Sequence, residues 1–161
     1  MEGKKKHLSR DEALVKLQRY CAYQDRCHQE VRSKLIDLGI YGHDLELVIA
    51  ALISENFLNE ERFACSYARG KFRIKRWGKV KIKRELVRRN ISTYCISKAM
   101  EELEEEDYQM HLQVLLEQKL EQERAKNEFR KKAKVAQYAI RKGFEAHLVW
   151  EILNSQSSNK K

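Results

Sequence analysis

Between Arg69 and Arg89 the chain sets eleven basic residues against one acid, Glu85, a local excess of +10 in a protein whose formal net charge is +9. The other 140 residues carry a net −1, so one segment holds the whole imbalance. Clustered cations release condensed counterions when they meet a polyanion, and ordinary surfaces mix their signs. The chemistry this pattern suits is recognition of a polyanion or of an acidic protein surface. Candidate binding residues are Arg69, Lys71, Arg73, Lys75, Arg76, Lys79, Lys83, Arg84 and Arg88, with a smaller group at Arg130, Lys131 and Lys134. Trp77 lies inside the segment, placed either to stack on a base or to pack across a helix junction. Gly78 reads as a helix start whose free amides would add a phosphate-sized anion site. The apolar positions Val80, Ile82, Leu86 and Val87 read as the packed face of that helix, with the cations around them.

Bond-making chemistry finds little support. The chain has no G-x-x-x-x-G-K-[ST], H-E-x-x-H or G-x-S-x-G motif. Cys27-His28 has no second pair at ligand spacing, the five histidines are scattered, and the acidic run from Glu101 to Asp107 reads as a solvated helix end. We expect no enzyme activity, no metal and no cofactor. No apolar run approaches 18 residues and the four cysteines form no C-x-x-C pair, which predicts a soluble, cytoplasmic monomer with reduced thiols and no membrane contact.

The elements that must carry the cations follow from composition. Leu, Ile, Val and Phe make up 40 of 161 residues, enough for a core, while Pro is absent and Gly numbers six. Few breakers and few turn residues predict an all-α fold. Aligning Gly39, Asn90 and Gly143 as left-handed helix-ending turns brings three segments into register. Val31, Ile82 and Val135 stand eight residues before the turn; Leu35, Leu86 and Ala139 four before; Ile40, Ile91 and Phe144 one after. The spacing is helical, and a further helix precedes each pair, at 10–23, 60–74 and 107–124. Ser9 with Glu12, and Asn59 before Glu60 and Glu61, mark helix starts. The reading is three tandem three-helix repeats (9–58, 59–106 and 107–154) between flexible tails at 1–8 and 155–161. Stacked in series, they would share their cores and form an elongated, curved array.

These residues resemble a known family. Asn56-Phe57-Leu58-Asn59-Glu60-Glu61-Arg62-Phe63-Ala64 is similar to the G-L-L-D-D-x-R-F-A signature of RecX-type regulatory proteins. Arg26 to Leu35 resembles R-S-x-x-E-L-x-x-K-L, Gly78 to Leu86 resembles G-x-x-x-I-x-x-E-L, and Arg141-Lys142-Gly143-Phe144 resembles the closing R-x-G-F. Departures are Cys27 at a usual Ser cap, Asn56 and Asn90 for glycines, and Asn59-Glu60 for an Asp pair. The resemblance implies a non-enzymatic modulator that binds the RecA recombinase filament on single-stranded DNA. It further implies inhibition of ATP hydrolysis, strand exchange and repressor cleavage, within DNA repair and the SOS response. From the residues alone, a stand-alone nonspecific nucleic-acid-binding helical protein is the alternative, since helix, turn, helix is also the outline of DNA-binding modules.

Overall fold

Ser9, Asn59, Ser92 and Asn127 each accept a hydrogen bond from the backbone N–H three residues on, and with these caps four of the helices begin. A computed structural model describes residues 8–158. Within them the chain forms nine helices: α1 (Arg10–Tyr23), α2 (His28–Asp37), α3 (Gly42–Ser54), α4 (Glu60–Arg73), α5 (Lys79–Arg88), α6 (Thr93–Glu101), α7 (Glu105–Gln122), α8 (Glu128–Arg141) and α9 (Ala146–Ser158). Helices pack chiefly within the triplets α1–α3, α4–α6 and α7–α9, giving an all-α repeat array.

The register rests on the turns. Gly39, Asn90 and Gly143 all take positive φ, at 84°, 59° and 101°, and Asn56 does so at 62°. Val31, Ile82, Val135, Leu35, Leu86 and Ala139 are all fully buried, and Ile40, Ile91 and Phe144 nearly so. Each of these Val, Leu, Ile and Phe side chains stabilises the fold by about 1.5–3 kcal/mol through lost water contact, and Ala139 by less.

Three expectations need correction. The repeat register, with Cys27, Gly78 and Lys131 each twelve residues before the turn, implies a helix start at Lys131; the third unit's central helix starts a turn earlier, because Asn127 caps it through the Arg130 N–H at 2.8 Å. Lys131 is therefore inside α8 and does not stand where Cys27 and Gly78 stand, at the N-caps of α2 and α5. α9 continues through Ser158 where a tail is expected from 155; buried Leu153 anchors it, and the Ser155 hydroxyl bonds back to the Ile152 carbonyl at 3.1 Å. Residues 1–7 and 159–161, expected as tail, lie outside the described residues. Finally, the cores are not shared equally. The second and third units bury one continuous core, whereas the first has its own.

The reason lies at two junctions. Between the second and third units the backbones touch: Gly78 N–H donates to the Lys142 carbonyl at 2.8 Å and Val80 N–H to the Gly143 carbonyl at 2.9 Å. Buried Tyr108 accepts from Lys79 N–H at 3.0 Å and donates to Glu145, between the rings of Phe72 and Phe144. Burial first, then the Glu145 bond, pushes its hydroxyl far above the ordinary tyrosine range, so it stays a donor. Tyr108→Phe is expected to lose about 1–3 kcal/mol in urea unfolding, because Lys79 N–H and Glu145 lose their partner while the ring remains.

Between the first and second units, side chains make the link. Cys27 stands where the second unit has Gly78, and its fully buried side chain joins the core of the other two units. Its N–H and thiol both donate to Glu30, at 3.4 and 3.3 Å, so the carboxylate supports this helix start. Arg62, from the signature stretch, donates to Asp25 at 2.8 Å and to the Asn56 and Phe57 carbonyls at 3.1 Å, tying α4 back to the first unit.

Candidate polyanion and partner interface

The helix α4 buries Phe63, Ala64, Ala68 and Phe72 along one side, which turns Arg69 and Arg73 outward. Arg73 at the end of α4, and Ile74, Lys75 and Arg76 in the link to α5, are all exposed. Arg76 holds φ at 58°, a left-handed conformation that disfavours a side chain by about 1–2 kcal/mol, and donates to Gln118 on α7 at 2.8 Å. Trp77 is half-buried against the shared core, with the Lys71 and Lys81 ammonium groups 4.9 and 4.4 Å from its ring. Of the two roles open to it in sequence, the packing role is the one this geometry supports.

Two sequence expectations fail here. The amides at the start of α5 are not free for an anion: Gly78, Lys79 and Val80 donate to Lys142, Tyr108 and Gly143 in turn. The protein itself fills that position. Nor do all four apolar residues of α5 pack. Ile82 and Leu86 are fully buried, but Val80 is 48% exposed and Val87 61%, on the side that carries Lys83, Arg84 and Arg88.

Some cations meet carboxylates. Arg69 pairs with Glu102 at 3.0 Å, Lys79 with Glu105 at 3.5 Å, Lys134 with Glu123 at 3.6 Å, and Arg88 and Arg89 share Glu85. Exposed pairs of this kind contribute about 0–1 kcal/mol and exchange readily for a stronger anion. Lys79 is the exception, since its ammonium also sits 4.5 Å from the Tyr108 ring and is largely covered. Among the described residues Lys71, Arg73, Lys75, Arg76, Lys83, Arg84, Arg130 and Lys131 form no ion pair.

The two basic groups are brought together by residues that the sequence reading left out. Lys142 donates through Nζ to the Lys75 carbonyl at 3.1 Å, placing the end of α8 against the α4–α5 link. From there Arg141, Gln137, Lys134 and Arg130 follow the exposed side of α8 at spacings of four, three and four, over about 17 Å at 1.5 Å per residue. That spacing was visible in the sequence. What it lacked was the contact joining α8 to residue 75. The result is a cationic band running across the second and third units.

An open cleft of about 890 Å³ lies between the first and second units, lined among others by Tyr20, Glu30, Lys34 and Tyr67, and by Lys71 and Arg88 from the basic segment. The charges there are mixed. All four cysteine thiols titrate above their ordinary range, burial being the main cause in each, which keeps them protonated and poor nucleophiles. No group of three or more metal-ligating side chains occurs among the described residues, and none of their helices is long and apolar enough to cross a membrane.

A stack of three-helix units with a lateral cationic band defines a helical-repeat protein. Family models for the second and third three-helix domains of RecX match residues 59–100 and 105–153, and the chain belongs to the RecX family of regulatory proteins. It is 29% identical over 153 residues to the regulatory protein RecX of Thermotoga maritima, covering 94% of this chain and 89% of that one. With the regulatory protein RecX of Bacillus cereus it shares 23% over 141 residues, 88% of this chain but 52% of the relative. The chain thus spans about half the length of the Bacillus relatives it matches. The crystal structure of RecX from Lactobacillus salivarius has the same fold, with a TM-score of 0.81 and 23% identity over 91% of this chain and 95% of that one.

Proposed function

We propose that this chain binds the RecA recombinase filament on single-stranded DNA and inhibits its ATP hydrolysis, strand exchange and repressor cleavage, as a cytoplasmic modulator of DNA repair and the SOS response. The observation that carries the reading is the cationic band: eight candidate residues without an internal ion pair, distributed over two units that are locked together. A rigid repeat array with several linked patches can engage successive protomers of a polymer, so that modest contacts add to a tight complex. The band then meets phosphates or acidic filament surfaces. Residues Arg73, Lys75 and Arg76 form the core of this surface, and Arg141, Lys134 and Arg130 extend it along α8, with Lys131 beside them.

The test is the DNA-dependent ATPase of the cognate filament as this protein is titrated in, beside its affinity for bare single-stranded DNA at physiological salt. The expected result is a fall in ATPase at stoichiometries well below one per protomer, with weak binding to bare DNA. An unchanged ATPase together with tight, steeply salt-dependent binding to bare DNA would establish the stand-alone nucleic-acid binder instead.

A further inference from the structure

The cationic band has two parts of different make-up. Along α8 the stripe of Arg130, Lys134, Gln137 and Arg141 is polar, with the exposed Phe129 and Ile140 to one side of it. Along α5 the exposed positions are Val80, Lys83, Arg84, Val87 and Arg88, so that aliphatic groups alternate with cations. At 100° per residue these five fall within one sector of about 140°, opposite Ile82 and Leu86.

The fold itself has no use for the two valines. α5 is already anchored by Ile82 and Leu86, and β-branched residues form helix less readily than the Ala, Glu or Lys that an exposed position normally carries. Exposed apolar side chains occur on other helices too, such as Val15, Ile36 and Val114; on α5 the two valines share one sector with three cations, and that mixed surface is what points to a binding role. Phosphate alone gives an isopropyl group nothing to bury against. Single-stranded bases are gripped by aromatic faces or guanidinium planes, which valine lacks. An acidic protein segment with its own aliphatic side chains satisfies both halves of the surface: carboxylates for Lys83 and Arg84, which form no ion pair here, and apolar contact for Val80 and Val87.

We infer that the outward face of α5 is a docking surface for an acidic, aliphatic protein segment, while the α4–α5 link and the α8 stripe take the phosphates. The inference rests on the filament reading for its natural partner, but its chemistry can be tested apart from it.

Val80→Thr/Val87→Thr keeps side-chain shape, backbone preference and net charge while replacing a methyl by a hydroxyl at two exposed positions. Two probes are used with the full chain: the assembled recombinase filament, and a synthetic amphipathic helical peptide of Glu and Leu. Bare single-stranded DNA serves as the reference. The expected result is a loss of about tenfold for filament and peptide alike, with DNA affinity unchanged within about twofold. Lys83→Ala/Arg84→Ala is expected to weaken both as well, and the peptide more at low salt than at high salt. Wild-type affinity of the threonine variant for peptide and filament would overturn the docking face and leave the filament reading standing. Valine-dependent binding of the peptide by a chain that ignores the filament would support the docking face and overturn the filament reading.

Discussion

Gly78→Ala is expected to lower the stability of the protein by about 3 kcal/mol and its melting temperature by roughly 6–12 °C, whereas Gly70→Ala raises both slightly. The two glycines differ in what surrounds them. Gly78 has φ of −85°, open to any residue, so the effect is purely one of space. A Cβ there would lie 2.4 Å from the Gly143 carbonyl group and from the Phe144 nitrogen. These are backbone atoms and cannot rotate away. The turn carrying Gly143 must withdraw, stretching the bonds from Gly78 N–H and Val80 N–H, each worth about 1 kcal/mol, and loosening Phe144 from Tyr108. Gly70, in the body of α4, has nothing within 4 Å of the same construction. Alanine there adds no clash and removes the entropy that glycine loses in a helix, about 0.5–1 kcal/mol. Thermal unfolding of the pair, monitored by helicity, reads the difference. Equal melting temperatures would show that the second and third units are not joined through this contact.

The recurring helical triplet was legible in the sequence because its signals are local. Val31, Ile82 and Val135 recur at one distance from a left-handed turn, and a buried face with a glycine or asparagine stop is a property of one helix and its own residues. What was not legible depends on contacts between units. Ten residues containing Val80, Ile82, Leu86 and Val87 do not reveal which of the four face inward, since a short helix with apolar groups on two sides fits either neighbour. Nor does a glycine at a helix start say whether its amides face water or another chain segment. Here Gly143 and Tyr108 occupy them. The candidate site was accordingly half visible. The eleven-to-one charge excess marked Arg73, Lys75 and Arg76, but Arg141 and Lys142 join the surface only because α8 ends against Lys75, and Lys79 is largely withdrawn by the junction.

That withdrawal decides how the cationic band should be tested. Arg73→Ala/Lys75→Ala/Arg76→Gly is expected to weaken inhibition of the filament ATPase by about a hundredfold, taking about 1 kcal/mol for each charged contact removed. All three side chains are exposed and meet no carboxylate among the described residues, so their removal leaves no buried charge behind. Lys75→Ala retains the carbonyl that accepts from Lys142. Arg76→Gly relieves a side chain held at positive φ and gives up one exposed bond to Gln118, so the fold is expected to be as stable as before or slightly more so. Lys79 is left in place because its loss would disturb the Tyr108 junction and confuse binding with folding. Arg32→Ala, which breaks an exposed pair with Glu46 in the first unit, is the matched control and is expected to inhibit like the parent. If the three contacts are to phosphates, the salt dependence of filament binding also flattens, by about 0.7 in log–log slope per cation lost; if they are to carboxylates of the recombinase, affinity falls without that per-phosphate signature. Undiminished inhibition by a helical, fully folded triple variant would show that the band is not the surface through which this protein acts.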